Sequence, residues 1–246
     1  MWQEMFHIWM ITAVICAFIV KGMCGFANTL VFDTILSFRM NNINITPVEL
    51  LTGYPSNFIV VWKERKALSM KVWGPLALLV IAGSIPGALF LKNGDTTTIK
   101  LIFGFVVVCI GIEMFFREYQ KNKKRTSPVV LGIIGVASGL LCGLFGIGAL
   151  LAAYVSRTTD ENSAFCGNLC MVFIIENTFR IIFYISCGII TLSVAQQALV
   201  LIPFMLIGLG VGMLLAKVLP EKVVKKFVIV MLVLSGISLI LHNIAW

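Results

Sequence analysis

Charge is scarce in this chain. Only 12% of the residues are charged, with eleven acids and two histidines, whereas soluble domains carry roughly a quarter charged residues. So little charge argues against a water-soluble surface. No glycine-rich nucleotide loop occurs, which argues against a self-contained ATP-driven pump. The seven cysteines (Cys16, Cys24, Cys109, Cys142, Cys166, Cys170 and Cys187) include no close CxxC pair. Neither a disulfide framework nor a zinc site is indicated, and no metal or other cofactor is expected. Buried thiols of this kind ordinarily act as small hydrophobes. No catalytic residue is assigned and enzyme activity is not expected. The opening MWQEMFHIW lacks a basic region and a small-residue cleavage site, so the first apolar run is expected to be retained as a membrane segment.

What is abundant is apolar. Hydrophobic residues make up 59% of the chain and mean hydropathy is +1.01. Several runs are long enough to cross a bilayer core, so the expected fold is an all-α polytopic membrane protein in the cell (inner) membrane. The formal charge of +8 is read as flanking Lys and Arg that orient helices; nucleic acid is not an expected partner. The candidate spans are 6–38, 43–61, 70–91, 97–116, 128–156, 163–186, 192–216 and 223–243. The first and fifth are too long for one helix across a core of about 30 Å. Both contain glycine clusters that mark interruption or close packing.

The chain also repeats itself. GMCGFANTLVFD (22–33) parallels GLFGIGALLAAY (143–154), and Asn57 matches Asn177 at nearly the same offset. AGSIPGALFLKNGDTTTIKLIFG parallels IGLGVGMLLAKVLPEKVVKKFVI. Residues 1–120 and 128–246 therefore form two repeats joined by a basic linker at 121–127. If each long segment crosses once, the loops carry nine basic residues on one side and eight on the other. If each enters, breaks and returns, fourteen basic residues face the cytoplasm and three face out, with Lys21 and Arg180 left in the membrane. The positive-inside rule selects the second arrangement. It predicts two inverted repeats, each a broken-helix hairpin plus three transmembrane helices, with both termini extracytoplasmic.

Inverted repeats with interrupted helices are a recurring transporter design, with substrate near the midplane. The returning arms are expected to begin near 26–29 and 147–150, and such helix starts suit an anion. Gly22 and Gly25 are read as permitting the first turn, and these two with Gly146 and Gly148 at the second break are candidate substrate-binding positions. Lys21 is read as facing an anionic substrate, or as pairing with an acid such as Asp33. Arg180 lies four residues after Glu176, the order that favours pairing. A structural ion pair is the preferred reading there; the alternative is a substrate-binding Arg with a coupling acid. Asp33 and Glu49 are candidates for proton carriage, or for interface placement. Asn28, Thr29, Asn57 and Asn177 are candidate substrate ligands, with interhelical hydrogen bonding as the plainer reading.

The arrangement resembles the sulfite exporter TauE/SafE family. GFANT (25–29) and GIGAL (146–150) occupy the places of that family's glycine-rich GxGGG breaks. The resemblance covers nearly the whole chain, including the Asn-bearing second segments and the IPGALFLK element. Asn28 and Thr29 stand where the family often has glycine, and Lys21 departs from its pattern. The resemblance implies transport of small sulfur-containing or carboxylate anions such as sulfite or sulfonates; the two breaks lead to the expectation of alternating access, in a form open to proton coupling. The bilayer and a small anion are the expected partners, and a homo-oligomer is compatible with the pattern. The competing function is a transmembrane thiol–disulfide electron carrier using Cys24 and Cys142.

Overall fold

The computed structural model describes residues 2–37, 42–93, 127–145, 148–159 and 161–220, with isolated positions between 104 and 116 and between 223 and 241. Among the described residues there is no strand. The continuously described stretches hold eight α-helices: α1 (Trp2–Cys24), α2 (Asn28–Ser37), α3 (Asn42–Lys63), α4 (Met70–Asn93), α5 (Pro128–Phe145), α6 (Ala149–Thr158), α7 (Asn162–Ser186) and α8 (Leu192–Val218). The expected spans 97–116 and 223–243, and most of the 121–127 linker, lie outside the continuous described stretches.

Helices are what an apolar chain must form in lipid, because every backbone N–H and C=O then finds a partner within its own segment. Both α7 and α8 are long and apolar enough to cross a bilayer. Leu78, Ile133, Leu199 and Leu214 are 63 to 72% exposed. Apolar side chains so presented fit a lipid surround and not water. The two long segments do break, between Cys24 and Asn28 and between Phe145 and Ala149, within the residues where the arms were expected to start.

The order of contacts gives the helix directions. On α1 and α3, Phe18 lies against Gly53 and Lys21 against Asn57, so these helices run the same way. On α1 and α8, Ile15 lies against Gly208 and Ile19 against Gly212, again parallel. Leu79 meets Gly135, and Ser84 Oγ donates to the Gly139 carbonyl at 3.0 Å, so α4 and α5 are parallel. In contrast, Glu64 meets Gly167 while the Tyr54 hydroxyl lies 2.7 Å from Thr178 Oγ1, so α3 and α7 are antiparallel.

These directions fit a chain that turns back at each break. Because α1 and α3 run the same way, α2 carries the chain back between them. The turn at 64–69 packs on the start of α7: Ser163 Oγ donates to the Glu64 carboxylate, and Ser69 N–H donates to Asn168 Oδ1 at 2.8 Å. Helix α4 leaves that turn, α5 runs alongside it, and α7 starts again beside the turn; α6 therefore brings the chain back. Thus α1 runs toward the 64–69 end of the bundle and α5 runs away from it. The basic residues of the 63–71 loop and Arg157, just before α7, share that end.

The closest packing joins the two halves, α1 on α8 and α4 on α5. A Cβ on Gly208 would run into the Ile15 carbonyl, and one on Gly83 into the Val136 carbonyl. Small residues allow this backbone approach in membranes. One expectation is corrected here. Gly22 is not a turn residue: α1 continues through it to Cys24, and its bare Cα lies under Leu209 and Met213 of α8. The glycine is demanded by a helix nearly two hundred residues away and not by the nearby break.

Candidate functional site

The first break is built by backbone geometry. Gly25 has φ 81° and Ala27 has φ 72°. Glycine takes this left-handed region freely, whereas for alanine it costs about 1–2 kcal/mol. The tip is pinned against α7. A Cβ on Gly25 would meet Cys166, Cys170 Sγ donates to the Gly25 carbonyl at 3.3 Å, and the Phe26 ring packs edge-on to Phe165 with centroids 5.9 Å apart. Where the surroundings hold such strain, the place is commonly functional.

Behind the tip lies a narrow cleft. Its polar lining comes from Lys21 on α1, Asn28 and Thr29 at the head of α2, Glu49 and Asn57 on α3, and Asn177 on α7. Both halves contribute, since Gly148 and Phe173 line it as well. Lys21 is 2% exposed. Its Nζ donates to Asn57 Oδ1 at 2.7 Å and lies 5.7 Å from the Phe18 ring centre and 6.0 Å from that of Phe173. A lysine at mid-membrane costs about 2.5–3.5 kcal/mol on insertion scales. One charged hydrogen bond and two cation–π contacts offset part of that cost.

Glu49 sits at the head of the returning arm. It accepts hydrogen bonds from Asn28 Nδ2 and from the Thr29 side chain. The close approach needs Gly53, where a Cβ would press on both the Asn28 amide and the Glu49 carboxylate. Glu49 also lies within electrostatic range of both Lys21 and Arg180. The Asn57 amide nitrogen, fully buried on the cleft wall, has no hydrogen-bond partner.

A second charged group lies beside the cleft. Arg180 Nε is 3.7 Å from Glu176 Oε1, both residues are buried, and the guanidinium lies 5.4 Å from the Tyr184 ring centre. That separation makes an ion pair but not a hydrogen bond. Arg180 Nε and Nη2 and Glu176 Oε1 have no hydrogen-bond partner. Cys142, aligned with Lys21 in the repeat, interacts electrostatically with this pair.

Of the expected site residues, Lys21, Asn28, Thr29, Glu49, Asn57, Gly148 and Asn177 line one cleft. Gly22, Gly25, Asp33, Glu176 and Arg180 do not form its wall. Asp33 is half-buried further along α2, and Gly146 lies outside the described residues. Gly53 and Phe173 line the cleft without having been singled out. A signal existed: Glu49, Gly53 and Asn57 recur at i, i+4, i+8 on one helix face, as do Leu169, Phe173 and Asn177. All seven cysteines are free thiols, and nothing in the geometry supports the electron-carrier alternative.

A family model described as Sulfite exporter TauE/SafE matches residues 10–239. Comparisons with curated proteins and with solved structures returned no significant match.

Proposed function

The chain belongs to the sulfite exporter TauE/SafE family of membrane transporters, and from that premise we propose that it moves small sulfur-containing or carboxylate anions by alternating access at the cleft behind its first hairpin. The observation that carries this reading is Lys21. A buried ammonium lies at the wall of a cleft that also contains a half-helix start and the Asn57 amide nitrogen, which has no hydrogen-bond partner. Helix N-termini and positive side chains both favour negative charge.

The architecture supporting it is a pair of inverted repeats. The contacts of α1 with α8 and of α4 with α5 are equivalent under exchange of the halves, and the two hairpins enter from opposite ends of the bundle. The shared end of the 63–71 loop and Arg157 agrees with the fourteen-to-three distribution of basic residues. In this arrangement both termini are extracytoplasmic, and the cleft at the meeting of the halves opens to one side or the other.

A thermal-shift panel of sulfite, sulfoacetate, taurine, thiosulfate and lactate on purified protein tests the substrate class. Anions are expected to raise the unfolding temperature, and Lys21→Ala is expected to abolish the rise. Stabilisation by cations or neutral amines alone would overturn the reading. For the topology, a C-terminal reporter is expected to read extracytoplasmic, and a cytoplasmic signal would contradict the inverted arrangement.

A further inference from the structure

The seat at the head of α2 is already taken by an acidic side chain of the chain itself. Glu49 takes the Asn28 amide and the Thr29 side chain, lies within electrostatic range of Lys21, and faces the same cleft. These are the donors and the charge that an incoming oxyanion would use. The neighbouring Asn57 amide nitrogen, fully buried and without a partner, is a further donor on the same wall. From this we infer that Glu49 is a tethered competitor for the substrate seat, and that an anion binds there only when Glu49 has taken up a proton.

The charges around Glu49 lead to the same stoichiometry. Lys21 faces it from α1, and Arg180 and Glu176 from α7; Asp33 lies on α2 itself. The buried group of Lys21, Arg180, Glu49 and Glu176 is neutral when all four are ionised. Adding a monoanion such as lactate leaves one uncompensated negative charge in a region that solvates charge poorly. A proton on Glu49 removes that charge and turns the carboxylate from a rival acceptor into a neutral acid that can itself donate one hydrogen bond. Each anion then travels with one proton, which is a regulation of the proposed site and rests on that proposal. The head group favoured is the kind a carboxylate imitates: a sulfonate, a sulfite or another carboxylate.

The test uses purified full-length protein and three probes of fixed charge between about pH 5.5 and 8.5, namely sulfoacetate, thiosulfate and lactate. Binding is expected to be tightest at low pH, with the apparent Kd rising about tenfold per pH unit above the titration of the site. Calorimetry in buffers of different ionisation enthalpy should then give one proton taken up per anion bound. An infrared difference spectrum on adding the anion should show a new protonated-carboxyl C=O band, which protonation of Lys21 would not produce. In Glu49→Gln, binding should persist, lose its pH slope and lose the band. Binding in wild type with no proton uptake and no carboxyl band would overturn the inference while leaving the anion site standing; so would a Glu49→Gln protein that keeps the wild-type slope. The infrared and calorimetric readouts need no variant, so they decide the matter even if Glu49→Gln does not fold. If none of the probes binds at any pH, the anion site fails and this inference fails with it.

Discussion

The first hairpin turns with Lys21 before its break and Asn28 and Thr29 after it, facing Glu49, Gly53 and Asn57 on α3. At the second break the aligned positions are Cys142, Ala149 and Leu150, and on α7 Leu169, Phe173 and Asn177. The positions align in sequence; their chemistry differs. Even the turns differ, because Ala27 takes a positive φ where Gly148 has φ −92°. Beside the first break the side chains form a hydrogen-bonding seat, whereas beside the second the Phe173 ring lies against Gly148. The second half contributes its charge elsewhere, as the Glu176–Arg180 pair. The cleft thus takes most of its polar side chains from the first half and Asn177 from the second.

The sharpest way to break this comparison is to ask whether the second half's charges are structural. Glu176→Gln should leave the buried Arg180 uncompensated and cost about 3–5 kcal/mol of stability. Replacing both partners, Glu176→Leu with Arg180→Met, should recover most of that loss. Thermal unfolding in detergent measures it, and an unchanged melting temperature for Glu176→Gln would show that the pair does not hold the fold. Next come the two crossings, which the comparison treats as equivalent. Gly83→Ala and Gly208→Ala should each lose about 1–3 kcal/mol by overpacking against a partner backbone. Gly210→Ala, whose new Cβ meets nothing within 4 Å, should lose none. Unequal losses at Gly83 and Gly208 would break the equivalence of the crossings.

Smaller effects separate the aligned asparagines. Asn57 holds the Lys21 ammonium, so Asn57→Ala should weaken anion affinity about tenfold, the scale of one hydrogen bond to a charged group. Asn177→Ala, which removes a cleft-wall amide without a lysine to position, should cost about threefold at most. Titration of the anion-dependent thermal shift reads both, and reversal of their order would relocate the site to the second half. The smallest effect is expected at the thiols. Cys24→Ser with Cys142→Ser should leave transport within about twofold, since these cysteines serve as packing groups; loss of activity would revive the electron-carrier function.

Several features could be read before any coordinates. Glycines and polar residues inside apolar runs marked both breaks to within a residue or two of where α2 and α6 begin. The Glu176–Arg180 spacing foretold an ion pair, because four residues on a helix bring side chains together whatever surrounds them. Gly22 was misread for the opposite reason. A glycine beside a break and a glycine under a crossing helix look alike in one dimension, and only Leu209 and Met213 distinguish them. Lys21 was visible as an anomaly, but its hydrogen bond to Asn57, 36 residues on, depends on α1 and α3 being parallel. The seat occupied by Glu49 was least legible, because it needs Asn28, Glu49 and Gly53 to meet across two helices.

The central claim is that a small anion crosses the membrane through the Lys21 cleft. Counterflow of radiolabelled sulfite in proteoliposomes, compared between wild type and Lys21→Gln of equal thermal stability, tests it directly. The account predicts uptake stimulated by internal sulfite in wild type and background uptake in Lys21→Gln. Wild-type rates in Lys21→Gln would contradict it.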